Sequence, residues 1–128
     1  MLIILTMKGS VKKGNFAEEL AASWLEDHGF KIRERNYRIG HKEVDIIAES
    51  REKLHVVEVK SLTAPSLLNP SARVDLRKQT LLSSAASYYI KANGISKEVQ
   101  FDIISIIVYP DRQDLEYLPN AFWPIYYK

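Results

Sequence analysis

The residues Glu43–Lys60, with the sequence EVDIIAESREKLHVVEVK, decide the fold of this chain. Two apolar runs, at 44–48 and 54–59, contain the β-branched residues that favour strands. The polar run 50–53 between them is short enough to form a tight turn. The pattern predicts a β-hairpin whose strands carry charged residues inside apolar runs.

The turn decides which side chains meet. With Arg51 and Glu52 at its centre, Asp45 lies directly opposite Glu58. Because side chains alternate along a strand, Asp45, Glu58 and Lys60 then project from one face. Two opposed carboxylates repel each other unless a proton or a cation lies between them. Mg²⁺ accepts such ligands, and a lysine two residues on can act on a phosphate or an attacking water.

A purely structural interpretation stays open at this point. Glu43 and Lys60 would then form an ordinary cross-strand ion pair on a solvated face, with Asp45 near the end of its strand. A three-residue turn would also shift the register and separate Asp45 from Glu58.

A first amphipathic helix is predicted from Val11 to Asp27, ended by His28-Gly29. Glu18 lies at the border of the apolar face of this helix. Its side chain can either point toward the sheet or keep its carboxylate in water. Glu19 and Glu26 point to solvent. The apolar face consists of Phe16, Ala17, Leu20, Ala21, Trp24 and Leu25.

A second helix is predicted to start at an Asp75 N-cap and to end at Asn93-Gly94. Arg77 and Lys78 occupy its first turn, where the helix dipole disfavours cations. Either an anion docks there or the basic end is simply solvated. The positions expected to pack on the sheet are Leu81, Leu82, Ala85, Ala86, Tyr89 and Ile90.

Further extended segments complete a sheet. Phe30–Arg38 alternates apolar with basic residues, Val99–Tyr109 is almost continuously apolar, and Leu115–Leu118 is a candidate edge strand. Asp102 is expected to make structural hydrogen bonds. The loop 61–73 has two prolines and a length that suggests a flap near the site. The order helix, three strands, helix, strand predicts an α/β fold, a mixed sheet flanked by helices.

Composition bounds the remaining possibilities. The 128 residues suit one domain over 1–128, and 46% hydrophobic with 27% charged residues is typical of a soluble globular protein. The lack of cysteine excludes disulfides, thiolate zinc sites and cysteine nucleophiles, and agrees with a cytoplasmic location. The apolar start MLIILTM is too short to cross a bilayer, so no membrane contact is expected. Residues 1–7 form a frayed extension or an edge strand, and Met7 is an alternative start.

Basic and aromatic residues give two further hints. The net charge is only +2, but one region is clearly basic, which is a modest footprint for nucleic acid or a protected sheet edge. The aromatic tail, 119–128, can stack on bases, pack on the core or contact a second subunit. The basic region contains Lys31, Arg33, Arg35, Arg38, His41 and Lys42.

These residues also resemble a known family. Asp45, Glu58 and Lys60 are similar to the D…ExK core of the PD-(D/E)xK nuclease superfamily, and their surroundings resemble the YraN family of small bacterial endonuclease-like proteins. The resemblance runs from about Lys13 to Ile106. It is carried by the blocks AEELAASWLEDHGF, RERNYR, KEVDIIA, VVEVKS, VDLRKQTLLSSAASYYI and FDIISI, in this order.

The resemblance implies a restriction-endonuclease-like fold with an αβββαβ core. It implies a Mg²⁺- or Mn²⁺-dependent endonuclease that hydrolyses phosphodiester bonds in nucleic acid, DNA in particular. Asp45 and Glu58 would hold the metal, with the Val59 carbonyl as a third ligand and Glu18 as a further carboxylate, direct or through water. Lys60 would orient the attacking water. The residues expected to contact the phosphate are Arg77, Lys78 and Gln79.

Two other classes of function stay open. The same fold can serve as a catalytically silent nucleic-acid-binding module. It can also serve as a protein-interaction subunit, for example a homodimer formed through the aromatic tail.

Overall fold

The computed structural model describes residues 3–8, 16–63 and 74–124. They form six strands and two helices, which confirms the predicted α/β class. In chain order the elements are β1 (Ile3–Lys8), α1 (Phe16–Asp27), β2 (Lys31–Ile39), β3 (Lys42–Glu49), β4 (Lys53–Thr63), α2 (Leu76–Asn93), β5 (Glu98–Val108) and β6 (Arg112–Phe122). The segment from α1 to β5 has the expected αβββαβ order.

The six strands form one mixed sheet in the order β1-β6-β5-β4-β3-β2. β4 and β5 run parallel, and the other neighbouring strands are antiparallel. A parallel connection needs a crossover of a dozen or more residues, and α2 supplies it. β4 therefore belongs both to the hairpin with β3 and to the parallel pair with β5 at the centre of the sheet.

Each helix packs on one face of the sheet. Neither of them is long and apolar enough to cross a membrane. The core on the α1 side consists of Ala21, Ala22, Trp24, Leu25, Ile46, Ala48, Val57, Ile104, Ile106, Leu115 and Tyr117. The core on the α2 side consists of Val44, Ile47, Leu54, Val56, Val74, Leu82, Ala85, Ala86, Tyr89, Phe101 and Ile103.

The ends of α2 are those that the sequence predicts. The Asp75 carboxylate accepts the Lys78 N–H at 2.8 Å, and Gly94 caps the other end with a left-handed φ of 62°. One core position is wrong. Leu81 is 36% exposed, because it lies on the side of the helix that faces away from the sheet.

Several boundaries differ from the predicted ones. The predicted start of α1 at Val11 lies outside the described residues, and the described helix begins at Phe16. Residues 61–63 belong to β4, so the predicted loop begins later than expected, and 64–73 lie outside the described part.

The edge of the sheet also differs. β6 covers Arg112–Phe122 rather than Leu115–Leu118, and it is not an edge strand because β1 pairs with its outer side. Ile3–Lys8 is therefore an edge strand and not a frayed extension. Buried and partly exposed residues alternate in β6 from Arg112 to Tyr117, as expected for a strand with one face in the core, and the strand continues beyond them to Phe122.

Two aromatic residues of the tail, Phe122 and Trp123, lie within the described residues. Phe122 stacks on Phe101 with ring centroids 4.8 Å apart, so this residue packs on the core. Trp123 is 75% exposed. Tyr126 and Tyr127 lie outside the described residues.

Asp102 is fully buried in β5 and makes the structural hydrogen bonds that were predicted. It accepts hydrogen bonds from the Tyr117 hydroxyl at 2.8 Å, the Asn120 N–H at 2.9 Å and the Gln100 amide at 2.9 Å. The Nδ1 atom of His55 also lies 2.7 Å from the Oδ2 atom of Asp102. Burial, together with the Asp102 carboxylate, raises the pKa of Tyr117. The network ties β4, β5 and β6 together inside the sheet.

The same network reaches the β3–β4 turn. His55 Nε2 lies 2.8 Å from the Ser50 hydroxyl, so Ser50, His55 and Asp102 follow the order of a Ser-His-Asp triad. The Ser50 hydroxyl also accepts the Lys53 N–H at 3.3 Å within the turn, and Phe30 packs edge-on against the imidazole. These contacts hold the turn against β5, and we assign the network a structural role.

Candidate active site

The β3–β4 hairpin has the predicted turn and register. A hydrogen bond of 3.0 Å from the Ser50 N–H to the Lys53 carbonyl closes a two-residue turn. The strands pair in the expected register as far as Ile46 and Val57. The next pair in this register would be Asp45 and Glu58, but the regular pairing ends before it. The prediction that Asp45 projects from the same face as Glu58 and Lys60 is therefore corrected by the geometry at Asp45.

The regular alternation of side chains along β3 is interrupted at Asp45. Val44 packs in the core on the α2 side, whereas Ile46 packs in the core on the α1 side. Residues two apart on a regular strand share a face, so the strand turns over at Asp45. The Asp45 carboxylate consequently points along the sheet and accepts the Val59 N–H at 2.8 Å. In a regular antiparallel pair, such an N–H of β4 would bond to a backbone carbonyl of β3, and here the Asp45 carboxylate replaces that carbonyl.

The neighbouring strand β2 turns over at the matching position, Asn36. Asn36 has a left-handed φ of 52°, which asparagine tolerates better than most residues. On one side of it Arg35 bonds to Glu19 of α1 at 3.1 Å, and on the other Tyr37 packs edge-on against Tyr89 of α2. The two kinks are side by side, so the position of Asp45 depends on both strands.

Glu58 lies beside Asp45 on the α2 side of β4. Its side chain is 11% exposed, and Lys78 of α2 reaches it with Nζ 3.5 Å from Oε2. Burial raises the pKa of Glu58 to about 8, and a side-chain hydrogen bond with Asp45 and the charge of Asp45 add to this, while Lys78 opposes it. Without a cation, the pair Asp45 and Glu58 therefore holds a proton at neutral pH.

Lys60 lies two residues further along the same face of β4. Burial lowers its pKa, and the nearby carboxylates of Glu58 and Asp75 partly offset this effect. Its Cα partner in the parallel pair is Ser105 of β5. Lys60 is thus a partly desolvated amine between the carboxylate pair and the first turn of α2.

Glu18 is placed on α1 as predicted, at the border of the packed face. One of its oxygens, Oε2, is buried, and within the described ranges it has no hydrogen-bond partner. No group of three acidic or histidine side chains close enough to hold a metal occurs in the part of the chain that the structure describes. The structure therefore brings Asp45, Glu58, Lys60 and Lys78 together, and does not join Glu18 to them in one cluster.

The remaining predicted phosphate ligands have other surroundings. The Gln79 side chain donates to the Val74 carbonyl at 2.8 Å and so bonds the start of α2 to the residue before its N-cap. Arg77 is exposed and lies with Leu76, Thr80 and Leu81 around a shallow depression on the outer side of the helix. Their role toward a phosphate stays a prediction, as does that of the Val59 carbonyl toward a metal.

Three polar residues near the site were missed as site candidates. Asp75 was predicted only as a helix cap, yet its charge acts on Lys60. Ser105 is fully buried, and Glu116 lies next to it on β6; Ser105 Oγ and Glu116 Oε2 have no hydrogen-bond partner among the described residues. Burial raises the pKa of Glu116, with the charge of Asp114 as a smaller cause. A serine inside the apolar run of β5 was the signal that could have pointed to this neighbourhood.

The carboxylate pair meets the chemical requirements of a hard divalent cation. Asp45 and Glu58 offer oxygen ligands in a partly enclosed setting, where two like charges are otherwise unfavourable. Glu18, whose buried oxygen is unpaired among the described residues, lies on α1 and is not part of this pair, so its role as a further ligand stays a prediction. The residues therefore fit a cation that leaves several positions to water, as Mg²⁺ does.

Comparison with known proteins identifies the family. Residues 17–106 match the model of the uncharacterised protein family UPF0102. The chain belongs to UPF0102. Because UPF0102 is the YraN family, the resemblance seen in the sequence is confirmed. The matched residues run from α1 to β5 and include the hairpin with Asp45, Glu58 and Lys60.

UPF0102 proteins from several bacteria are similar to this chain over most of their length. A UPF0102 protein of Porphyromonas gingivalis is 38% identical over 112 residues, covering 86% of this chain and 83% of its own. One from Bacteroides thetaiotaomicron is 38% identical over 111 residues, covering 87% and 92%. One from Dictyoglomus turgidum is 38% identical over 112 residues, covering 85% and 95%.

Proposed function

We propose that this UPF0102 protein is a Mg²⁺- or Mn²⁺-dependent endonuclease that hydrolyses phosphodiester bonds in nucleic acid, with DNA as the substrate. The observation that carries the proposal is the contact between the Asp45 and Glu58 carboxylates, with Lys60 on the same strand face as Glu58. A scaffold has no physical need to hold two carboxylates against each other, because their repulsion costs stability.

Asp45 and Glu58 would hold the cation, with Glu18 as a further donor through water. When bound, the cation would activate water for attack and neutralise charge on the phosphate. In the reaction, water adds across a P–O bond, so that one product carries a phosphate monoester and the other a hydroxyl group.

Lys60 and Lys78 provide the positive charge at this site. Burial lowers the pKa of Lys60, which makes it easier for this amine to exchange a proton with the attacking water. Lys78 contacts Glu58 at 3.5 Å and is partly exposed, so its ammonium can turn to a phosphate. The Asp75 carboxylate already accepts the Lys78 N–H. The phosphate would therefore be bound by lysine side chains rather than by this amide of the helix N-terminus.

The proposal is tested by cleavage of labelled duplex, single-stranded, flap and four-way-junction DNA, with Mg²⁺, with Mn²⁺ and with EDTA. The variants Asp45→Asn and Lys60→Ala would be compared with the wild type, and Glu52→Gln, in the exposed turn of the same hairpin, is the matched control. We expect cutting that requires the metal and falls by roughly 10²–10⁴-fold in Lys60→Ala. Asp45→Asn should abolish cutting, and Glu52→Gln should retain it.

Each other result has a clear meaning. Cutting that survives in Asp45→Asn would point to a contaminating nuclease and would refute this site. Metal-independent binding to one of these DNAs, with no cutting by the wild type, would favour a catalytically silent nucleic-acid-binding module. A stable dimer without binding to any of the DNAs would favour a protein-interaction subunit.

A further inference from the structure

The turn between β2 and β3 forms a polar surface beside the candidate active site. We call Arg38, Gly40, His41, Lys42 and Glu43, which line a small depression there, the hairpin tip. Gly40, at the start of the two-residue turn, has a φ of +61°, a conformation that favours glycine. The hairpin tip carries two full positive charges and one negative charge.

The structure separates these cations from the other basic residues of β2. Arg33 donates to Glu49 at 3.0 Å and to the Tyr89 hydroxyl at 2.9 Å, so its charge is used inside the protein. Arg35 is paired with Glu19 of α1 at 3.1 Å. The basic region of the sequence is thus reduced to the cations of the hairpin tip, next to the site, and Lys31 at the other end of β2.

The cations of the hairpin tip are available to an external anion. The Arg38 side chain is 76% exposed, and its contact with Glu43 is long, at 3.7 Å. Exposed ion pairs of this kind contribute little and exchange readily. Lys42 donates to the Ser84 hydroxyl of α2 at 2.8 Å. Because this hydroxyl is neutral, the contact does not neutralise the charge of Lys42. This bond also fixes the hairpin tip to the helix that carries Lys78.

The spacing between two residues of α2 gives the distance from the hairpin tip to the candidate active site. Lys78 contacts Glu58, and Ser84, six residues later on the same helix, contacts Lys42. Six residues of α-helix span about 9 Å. A strand of a duplex advances about 3.4 Å per nucleotide, so this distance corresponds to roughly two to three nucleotides.

We infer that the hairpin tip binds the sugar–phosphate backbone of a nucleic acid, two to three nucleotides from the phosphate at the candidate active site. The binding rests on the charges of Arg38 and Lys42 and on the exposure of the Arg38 side chain, whereas its relation to a cut phosphate rests on the proposed function. The hairpin tip contributes affinity and not chemistry. A substrate of one or two nucleotides is too short to reach it.

The test measures binding without metal, so that it is independent of cutting. Fluorescence anisotropy of a labelled 20-base-pair duplex in EDTA would compare the wild type with the double variant Arg38→Gln/Lys42→Gln, over a range of salt concentrations. Glutamine removes the charge and retains a side-chain amide that can still bond to Ser84. The matched control is Arg51→Gln/Lys91→Gln, which removes two exposed cations outside the hairpin tip, one in the β3–β4 turn and one in the last turn of α2. Thermal unfolding would verify that all proteins are folded.

We expect the variant of the hairpin tip to bind about tenfold more weakly at low salt. The slope of log K against log salt should also decrease by about two, one for each lost phosphate contact. The control variant should bind within twofold of the wild type. Equal losses in both variants, no loss in either, or no binding by the wild type would each overturn the inference.

Cleavage assays separate this inference from the proposed function. If both are correct, the hairpin-tip variant cuts a long duplex with a raised KM and an unchanged kcat. If the wild type does not cut but binding depends on the hairpin tip, the proposed function fails and the inference stands. If the wild type cuts and the hairpin tip has no effect on binding, the inference alone fails.

Discussion

The carboxylate pair predicts an unusual dependence of stability on pH, and Glu58→Gln is the variant that reveals it. Burial and the adjacent Asp45 raise the pKa of Glu58 from an ordinary 4.5 to about 8 in the folded protein. Between these values the folded protein keeps a proton that the unfolded chain has already lost. The unfolded state then binds fewer protons, so stability falls as the pH rises through this window.

The size of the effect follows from the shift. One pKa unit corresponds to about 1.4 kcal/mol, so the wild type should lose roughly 3 kcal/mol between pH 5 and pH 7 when no divalent cation is present. Glutamine has nearly the shape of a protonated glutamic acid and can still donate to Asp45. Glu58→Gln should match the wild type at pH 5 and be more stable by roughly 3 kcal/mol at pH 7. In a domain of this size that corresponds to a difference in Tm on the order of 10 °C.

The assay is urea unfolding in EDTA at several values between pH 5 and pH 8, followed by the fluorescence of the tryptophans, of which Trp24 is buried. The quantity of interest is the difference between Glu58→Gln and the wild type, because other titrating groups affect both proteins alike. Glu52→Gln, in the exposed turn, is the control and should run parallel to the wild type. If the Glu58→Gln curve also runs parallel to that of the wild type, Glu58 is not held against Asp45 as described.

Other predictions concern metal binding, the buried network and the cap of α2. At pH 7, millimolar Mn²⁺ should raise the Tm of the wild type and not that of Glu58→Gln, and equal shifts would contradict Glu58 as a ligand. Asp102→Asn should lower the free energy of unfolding in urea by roughly 2–4 kcal/mol, whereas Asp111→Asn, at an exposed position, should change it little. A loss below about 1 kcal/mol for Asp102→Asn would show that its hydrogen bonds are not important. Gly94→Ala should cost about 1 kcal/mol, because a Cβ there meets nothing within 4 Å and the cost is conformational; an unchanged urea midpoint would contradict this.

Local signals in the sequence were sufficient for much of the fold. Asp75 and Gly94 mark the two ends of α2 because capping depends on a few neighbouring residues. The polar run between two apolar strands fixed the register of β3 and β4, since a shift by one residue would move every apolar side chain to the wrong face. The proximity of Asp45 and Glu58 follows from that register.

Features that depend on distant residues could not be predicted. The change of face at Asp45 accompanies a left-handed residue, Asn36, on another strand, and regular alternation gives no sign of it. The bond from Lys42 to Ser84 joins residues that are 42 positions apart. The helical spacing predicts Leu81 as a core residue, but it lies on the side of α2 that faces away from the sheet. The place of β1 outside β6 likewise depends on a pairing across nearly the whole chain.

The sheet topology also implies an order of assembly. β3 and β4 are joined by a short turn, so they can meet early, while both carboxylates are still surrounded by water. The contact of His55 with Asp102, between β4 and β5, spans 47 residues, and that of Thr6 with Asp114, between β1 and β6, spans 108. Closing such long loops is slow, so the central parallel pair and the packing of α2 follow later. We expect Glu58 to lose its water at this later stage, so that the uptake of a proton or a cation accompanies the docking of α2 rather than the formation of the hairpin.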